Sequence, residues 1–288
     1  MIKVLSVFAD DASDAKSERI FVVAGVMGTQ EEWDNLETKW LARTSGQIFH
    51  ATDCESDRGD FKNIPHEQNK KLYKDLTKLL AETPMMGFGS AIDINAYRTF
   101  MEGALEDAPY FHCFVRVILY FVKWTRVIIP QQKVKFTFDI NPKTRFNAAF
   151  LYDNLLCRRR EYTQYTQYMD KDLSFATRET VGIQVADLFT YEVMKHFDNQ
   201  FGPVKRRTRL SLETLLKTHR FVPHYYTREY FEAFAKNIKD IESRSGVSSE
   251  KYIEWLKEHN CLDNAENRTR YAIYLESVNP EPLNVSYP

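Results

Sequence analysis

The clearest pattern in the chain is an alternation of large apolar and polar side chains over residues 133–140. A period of two predicts a β-strand with one buried face. Two earlier segments, residues 2–10 and 19–28, are rich in Val, Ile and Phe and are separated by a short polar stretch. This arrangement predicts a β-hairpin with a long loop.

Other segments carry apolar residues at helical spacing. Thr29 followed by Glu32 has the sequence of a capping box, so we expect a helix to begin there. Residues 48–64 are polar and contain glycine, and we expect a loop. The other predicted elements are helices over 65–80, 111–129, 146–162 and 183–199, and strands over 86–97 and near 173–176. This mixture predicts an α/β sheet with helices on its faces.

The composition changes beyond Gly202, where charged segments with helical character replace the apolar ones. We therefore expect a first domain over residues 1–200 and a helical C-terminal extension over residues 201–288. A chain of 288 residues is long enough for one large domain or two modest ones.

Charge and composition narrow the class of protein. The chain has 39 Lys and Arg residues and 40 Asp and Glu residues, so its net charge is close to zero. We therefore do not expect a nucleic-acid partner that is held by the overall positive charge of the protein. A local stripe of basic residues would still be sufficient to bind nucleic acid. The longest apolar stretch carries Arg116, Lys123 and Arg126, which argues against a membrane span. The four cysteines are scattered without a metal-binding or disulfide spacing, so we expect a cytoplasmic protein.

Aspartates at the ends of predicted elements are the candidates for chemistry. Asp10 and Asp11 end the first strand, and Asp139 ends the alternating strand. Asp187 lies within an apolar helix, where a carboxylate is costly to bury unless a cation or a donor compensates it. Each of these residues also has an ordinary structural alternative: a turn or cap role for the strand-end residues, and an ion pair with an arginine for Asp187.

The helix around Asp187 has two distinct faces. Gln184, Asp187 and Tyr191 share one face, whereas apolar residues share another. We expect the apolar face to pack on the sheet and the polar face to meet a polar partner.

Three short motifs resemble a known family, the bacterial and phage proteins grouped as domain of unknown function 3800. They are ADDAS at residues 9–13, FHATD at residues 49–53 and GIQVAD at residues 182–187. The resemblance covers residues 2–198, about two-thirds of the chain, and its first motif departs from the family's Asp-Glu-Ser-Gly pattern. It implies an RNase H-like mixed sheet flanked by helices.

The same resemblance implies a nuclease with two divalent metal ions, Mg²⁺ or Mn²⁺. It assigns metal-ligand roles to Asp10, Asp139 and Asp187, and less firmly to Asp53. Two metals about 3.5–4 Å apart activate the attacking water and stabilise the leaving oxygen of a phosphodiester. We interpret His50 as a proton shuttle or a phosphate contact, with an ordinary loop histidine as the alternative.

A basic run directly after the Asp187 helix is the candidate contact for nucleic acid, either DNA or RNA. It consists of Lys205, Arg206, Arg207 and Arg209, and a solvated surface is its structural alternative. The leading hypothesis is thus a metal-dependent nuclease. The competing hypothesis is a catalytically silent binding or regulatory protein on the same fold, acting in phage–host conflict.

Overall fold

The computed structural model describes residues 4–14, 16–100, 108–142, 144–157 and 165–245. Part of the helix predicted over 146–162 and residues 246–288 of the C-terminal extension lie outside these residues. The elements below therefore concern the described part of the chain.

The described strands form one six-stranded sheet in the order β5-β4-β1-β2-β3-β6. β1 pairs with β2 in antiparallel and with β4 in parallel, and β4 pairs with β5 in parallel. This mixed sheet, with helices packed on it, confirms the α/β prediction. The strands are β1 Val4–Ser13, β2 Ile20–Thr29, β3 Met86–Asp93, β4 Lys133–Asp139, β5 Met169–Ala176 and β6 Phe221–Tyr226.

Nine α-helices are described, together with one 3₁₀ turn, Gly59–Phe61. The capping box at the first helix is confirmed, because Thr29 accepts from the Glu32 N–H while Glu32 accepts from the Thr29 N–H. The helices are α1 Gln30–Thr44, α2 Ala51–Ser56, α3 His66–Glu82, α4 Ile94–Phe100, α5 Ala108–Ile128, α6 Arg145–Cys157, α7 Val181–Phe201, α8 Leu210–Leu216 and α9 Arg228–Ser245.

Three local predictions were wrong. β1 continues to Ser13, so Asp10 and Asp11 lie inside this strand instead of ending it. The segment 48–64, which was expected to be a loop, contains α2 and the 3₁₀ turn. These elements bury few apolar side chains, such as Cys54 and Phe61, and so few residues do not show a helical period. The strand expected over residues 86–97 ends at Asp93, where the carboxylate accepts the Ala96 N–H and begins α4.

The two faces of the sheet bury different groups of helices. On one face, the apolar side of α7 packs with α1, α3 and α8 around Trp40, Phe49 and Phe189. On the other face, Phe114 of α5 packs on Phe138 with ring centroids 4.6 Å apart. Asp10 within β1 and Asp139 at the end of β4 therefore lie between two packed layers, which determine their surroundings.

The chain divides into two compact units. The first contains residues 1–92 and 110–225, and the second contains residues 93–109 and 226–288. The boundary expected near residue 200 thus falls inside the first unit, since α8 and β6 add to its core and its sheet. No helix in the described part of the chain is long and apolar enough to cross a membrane.

Candidate functional site

The carboxyl ends of β1 and β4 place two aspartates on the same face of the sheet. Phe8 pairs with Thr137 in the parallel ladder, and Asp10 and Asp139 follow two residues further along each strand. Because side chains alternate with a period of two, all four residues point to one face. The predicted proximity of Asp10 and Asp139 is thus a result of strand register.

Helix α7 packs over this face and supplies the third aspartate. A Cβ atom on Gly182 would lie only 2.4 Å from the Phe8 ring, so glycine allows the helix to approach β1 closely. Further along α7, the Thr190 hydroxyl donates to the Asp10 carbonyl at 3.4 Å. Asp187 lies between these two contacts, and its side chain faces Asp10.

Asp10 and Asp187 form a buried carboxyl pair. They are 4 % and 6 % exposed, and the side chain of Asp187 lies close enough to Asp10 for a hydrogen bond. Burial raises the pKa of Asp10 well above its usual range, and the charges of Asp187, Asp11 and Asp139 raise it further. Burial also raises the pKa of Asp187. Two carboxylates in this position repel each other, and either a bound proton or a bound cation would relieve the repulsion.

The two remaining acids share this environment. Burial and the charge of Asp139 raise the pKa of Asp11 to about 6, against the opposing effects of Asn141 and Arg178. Burial raises the pKa of Asp139 as well, and Arg178 again opposes the shift. Arg178 is exposed and lies in the turn between β5 and α7. It is a functional candidate that the sequence did not reveal, since no motif or periodicity includes it.

The polar face of α7 packs along residues 49–55. This segment is the polar partner that the sequence predicted for that face. Gln184, Asp187 and Tyr191 each bond to this segment. The bonds run from the Phe49 N–H to Gln184 Oε1 at 3.1 Å, from the Ala51 N–H to Asp187 Oδ2 at 2.6 Å, and from the Tyr191 hydroxyl to Glu55. The second and third motifs of the sequence thus meet in space.

Gln184 is the residue that joins three parts of the site. Its Oε1 accepts from Trp40 Nε1 at 2.9 Å as well as from Phe49, and its Nε2 donates to the Arg178 carbonyl at 2.8 Å. The side chain is 2 % exposed, so these bonds are made without competition from water. Gln184 therefore positions both the turn of Arg178 and the start of the His50 segment.

His50 lies between two carboxylates. Its Nδ1 is 2.8 Å from Asp53 Oδ2, and its Nε2 is 3.7 Å from Asp187 Oδ1. Gly59, at φ +53°, closes on Asp53 so tightly that a Cβ atom would lie 2.9 Å from Asp53 Oδ2. Asp53, predicted as a weaker metal ligand, is thus the residue that orients His50.

The donor set has the chemistry that a hard divalent cation requires, because Asp10 and Asp187 are buried side by side and Asp139 lies on the same face of the sheet. Among the described residues, however, no group of three or more His, Cys, Asp or Glu side chains is arranged to hold a metal ion. The ligands therefore fit Mg²⁺ or Mn²⁺ by type, and a bound cation would offset the repulsion between Asp10 and Asp187.

The basic run does not act as one surface. Lys205, Arg206 and Arg207 are exposed. Arg209 instead forms ion pairs with Glu55 and with the buried Glu192, the latter at 3.1 Å. The prediction that Arg209 contacts nucleic acid is corrected accordingly, because its charge is already opposed by two carboxylates inside the protein.

The Arg209 ion pairs belong to a larger buried cluster on α7. Tyr73 donates to Glu192 at 2.6 Å, and the Arg209 guanidinium lies 5.6 Å from the ring centroids of both Tyr73 and Tyr191. Glu192 is fully buried. The cluster joins helices α2, α3 and α7 to Arg209, which lies directly before α8. The basic run is thus connected to α2, the helix that follows His50.

Comparison of the chain with models of known protein families and with curated proteins finds no match. The resemblance to domain of unknown function 3800 therefore rests on the three motifs alone. What the structure adds is their proximity, since α7 contacts both the end of β1 and residues 49–55.

Proposed function

We propose that this chain is a metal-dependent nuclease that hydrolyses phosphodiester bonds of DNA or RNA. The observation that carries the proposal is the buried carboxyl pair of Asp10 and Asp187, with Asp139 on the same face of the sheet. Like charges gathered away from water destabilise a fold unless a cation or a proton compensates them. Such an arrangement is typical of a site that is completed by a cation.

In this proposal Asp10, Asp139 and Asp187 hold Mg²⁺ or Mn²⁺. The metal, when bound, supplies an activated water and charge stabilisation at the leaving oxygen. His50, oriented by Asp53, holds or transfers a proton beside Asp187. Arg178 is placed to contact a substrate phosphate, because it is exposed at the rim of the carboxylates.

The sheet supports the RNase H-like assignment that the resemblance implies. A central β1 carries an antiparallel hairpin on one side and parallel strands on the other. Ligand and active sites of such sheets commonly lie at the carboxyl ends of the parallel strands, where Asp139 is found.

The test is cleavage of single-stranded and duplex DNA and RNA with Mg²⁺, with Mn²⁺ and with excess chelator. We expect cleavage with either metal, none with chelator, and a loss of orders of magnitude in Asp10→Asn, Asp139→Asn and Asp187→Asn. Asp198→Asn is the matched control, since Asp198 lies on the same helix but pairs with Arg19. Full cleavage in chelator, or by all three site variants, contradicts the proposal.

A binding or regulatory protein without catalysis is the second candidate. It is favoured by one observation, which is that the charge of Arg178 partly offsets the acidic charge at Asp139. In that case nucleic acid is bound with equal affinity with and without metal, and no substrate is cleaved under any of the conditions above.

A further inference from the structure

Three aromatic rings at the C-terminal end of α7 form a stack that runs from the core to the surface. Tyr225 lies parallel to Phe201, with centroids 4.4 Å apart and planes 14° apart, and lies 5.0 Å from Phe197. Phe197 is 6 % exposed, whereas Phe201 is 53 % exposed. The stack thus ends in a large aromatic side chain that water reaches.

The three exposed cations of the basic run lie against this same end of the helix. Gly202 ends α7, and its N–H donates to the Asp198 carbonyl at 2.8 Å. The Arg206 N–H then donates to the Asn199 carbonyl at 2.8 Å, which folds the run back towards Phe201. The backbone of the run is therefore held at the end of α7 that carries Phe201, and the side chains of Lys205, Arg206 and Arg207 are exposed there.

Two further contacts hold the far end of the run. The Thr208 hydroxyl is hydrogen-bonded to His196 at 3.3 Å, and Arg209 pairs with Glu55 and Glu192. A run held at both ends loses little conformational entropy when a ligand binds. Its cations are consequently arranged in advance, unlike those of a free tail.

We propose that Phe201 and Tyr225, together with Lys205, Arg206 and Arg207, form a surface that binds single-stranded nucleic acid. An unpaired base extends the aromatic stack on Phe201, and the cations contact the adjoining phosphates. Bases in a duplex are already stacked on one another, so this surface selects unpaired strands. The inference deepens the proposed function by naming the substrate class, and the binding itself does not depend on catalysis.

An anionic membrane is the other ligand that a phenylalanine beside cations could meet. The stacked geometry favours a base, because a ring that lies flat on Tyr225 offers its π-face rather than an apolar wedge. A lipid surface is therefore treated as an outcome of the test.

The distance to the carboxylates sets the length of strand required. Asp187 and Phe201 are fourteen positions apart on α7, which is about 21 Å at 1.5 Å per residue. At about 3.4 Å per nucleotide, a strand spans this distance with ~6 nucleotides. This number applies to a stacked strand, and an extended strand spans the same distance with fewer nucleotides.

The experiment measures binding of fluorescent oligothymidylate and oligouridylate to the full chain in chelator, by anisotropy. Strands of about twelve nucleotides exceed the ~6 that the span requires. We expect Phe201→Ala to weaken binding about tenfold and Phe201→Trp to retain it, since stacking needs only an aromatic face. Leu210→Ala is the control, because Leu210 is 79 % exposed on the same segment but has no ring.

The cations are tested through the salt dependence. Changing Lys205, Arg206 and Arg207 together to Ala should lower the slope of log affinity against log salt by about 2, at about 0.7 for each phosphate contact on a single strand. A duplex of the same length should compete weakly. Thermal melts of each variant establish that it is folded.

Several outcomes overturn the inference: unchanged binding by Phe201→Ala, equal affinity for duplex and single strands, or binding to anionic vesicles and not to oligonucleotides. Metal-dependent cleavage that is unaffected by Phe201→Ala would reject this surface and leave the proposed nuclease intact. Binding that depends on Phe201, without cleavage in any metal, would establish the surface and reject the nuclease.

Discussion

Replacing Asp187 by asparagine tests the carboxyl pair most directly. Asparagine keeps the shape of the side chain, so its Oδ1 still accepts the Ala51 N–H and its amide donates to Asp10. One negative charge is removed from a desolvated position. We therefore expect the metal-free variant to be at least as stable as the wild type at pH 7.

Burial and the charge of Asp187 raise the pKa of Asp10, and burial raises the pKa of Asp187 itself. Each pKa unit that disappears with the charge of Asp187 corresponds to about 1.4 kcal/mol between the two protonation states. A raised carboxyl pKa in the folded state stabilises the protein below the ordinary carboxyl pKa of about 4, and this contribution is lost as the pH rises through the raised value. The wild type should lose stability across that range, and the Asp187→Asn variant should lose less.

Added metal separates the two interpretations of Asp187. If it is a ligand, Mn²⁺ at 100 times its Kd should stabilise the wild type by about 2.7 kcal/mol and the variant far less. The control Asp198→Asn should respond to Mn²⁺ as the wild type does, because Asp198 pairs with Arg19 away from the site.

The assay is urea unfolding of the three proteins at pH 4 and pH 7, with and without Mn²⁺. A variant that is less stable by about 3–5 kcal/mol, with a wild type that does not respond to metal, would show that Asp187 is one half of a buried ion pair. That result would refute the reasoning from like-charge repulsion.

Two further predictions concern the helix α7. Changing Arg209 to Met should lower the free energy of unfolding by about 3–5 kcal/mol, because Glu192 is left buried without its cation. Urea unfolding measures this change, and an unchanged stability would show that the hydrogen bond from Tyr73 is sufficient to hold Glu192. Changing Gly182 to Ala should lower the free energy of unfolding by about 1–3 kcal/mol, because the added Cβ atom would clash with the Phe8 ring. Adding Phe8→Leu to this variant should recover part of the lost stability. If the two changes are additive in a double-mutant cycle, that contact is not the cause of the loss.

Local periodicity was sufficient to predict most elements of the sheet and its helices. Local sequence patterns predicted three features without knowledge of the fold: the alternating strand β4, the capping box of α1 and the long helix α7. Each of these patterns involves residues that are close together in the sequence. The polar face of α7 was also predictable, since helical spacing alone places Gln184, Asp187 and Tyr191 together. The short helix α2 escaped detection because six residues contain too few turns to show a period.

Which charged residues meet was decided by the tertiary structure. The parallel register of β1 with β4 sets Asp10 beside Asp139, and the close packing of Gly182 on Phe8 brings Asp187 over them. Arg178 and Arg209 are similar side chains in the sequence, yet the first lies exposed at the carboxylates and the second is held by Glu55 and Glu192. A sequence specifies the charge of each side chain, but the energy of that charge depends on its distance from other charges and from water, which only the packed fold determines.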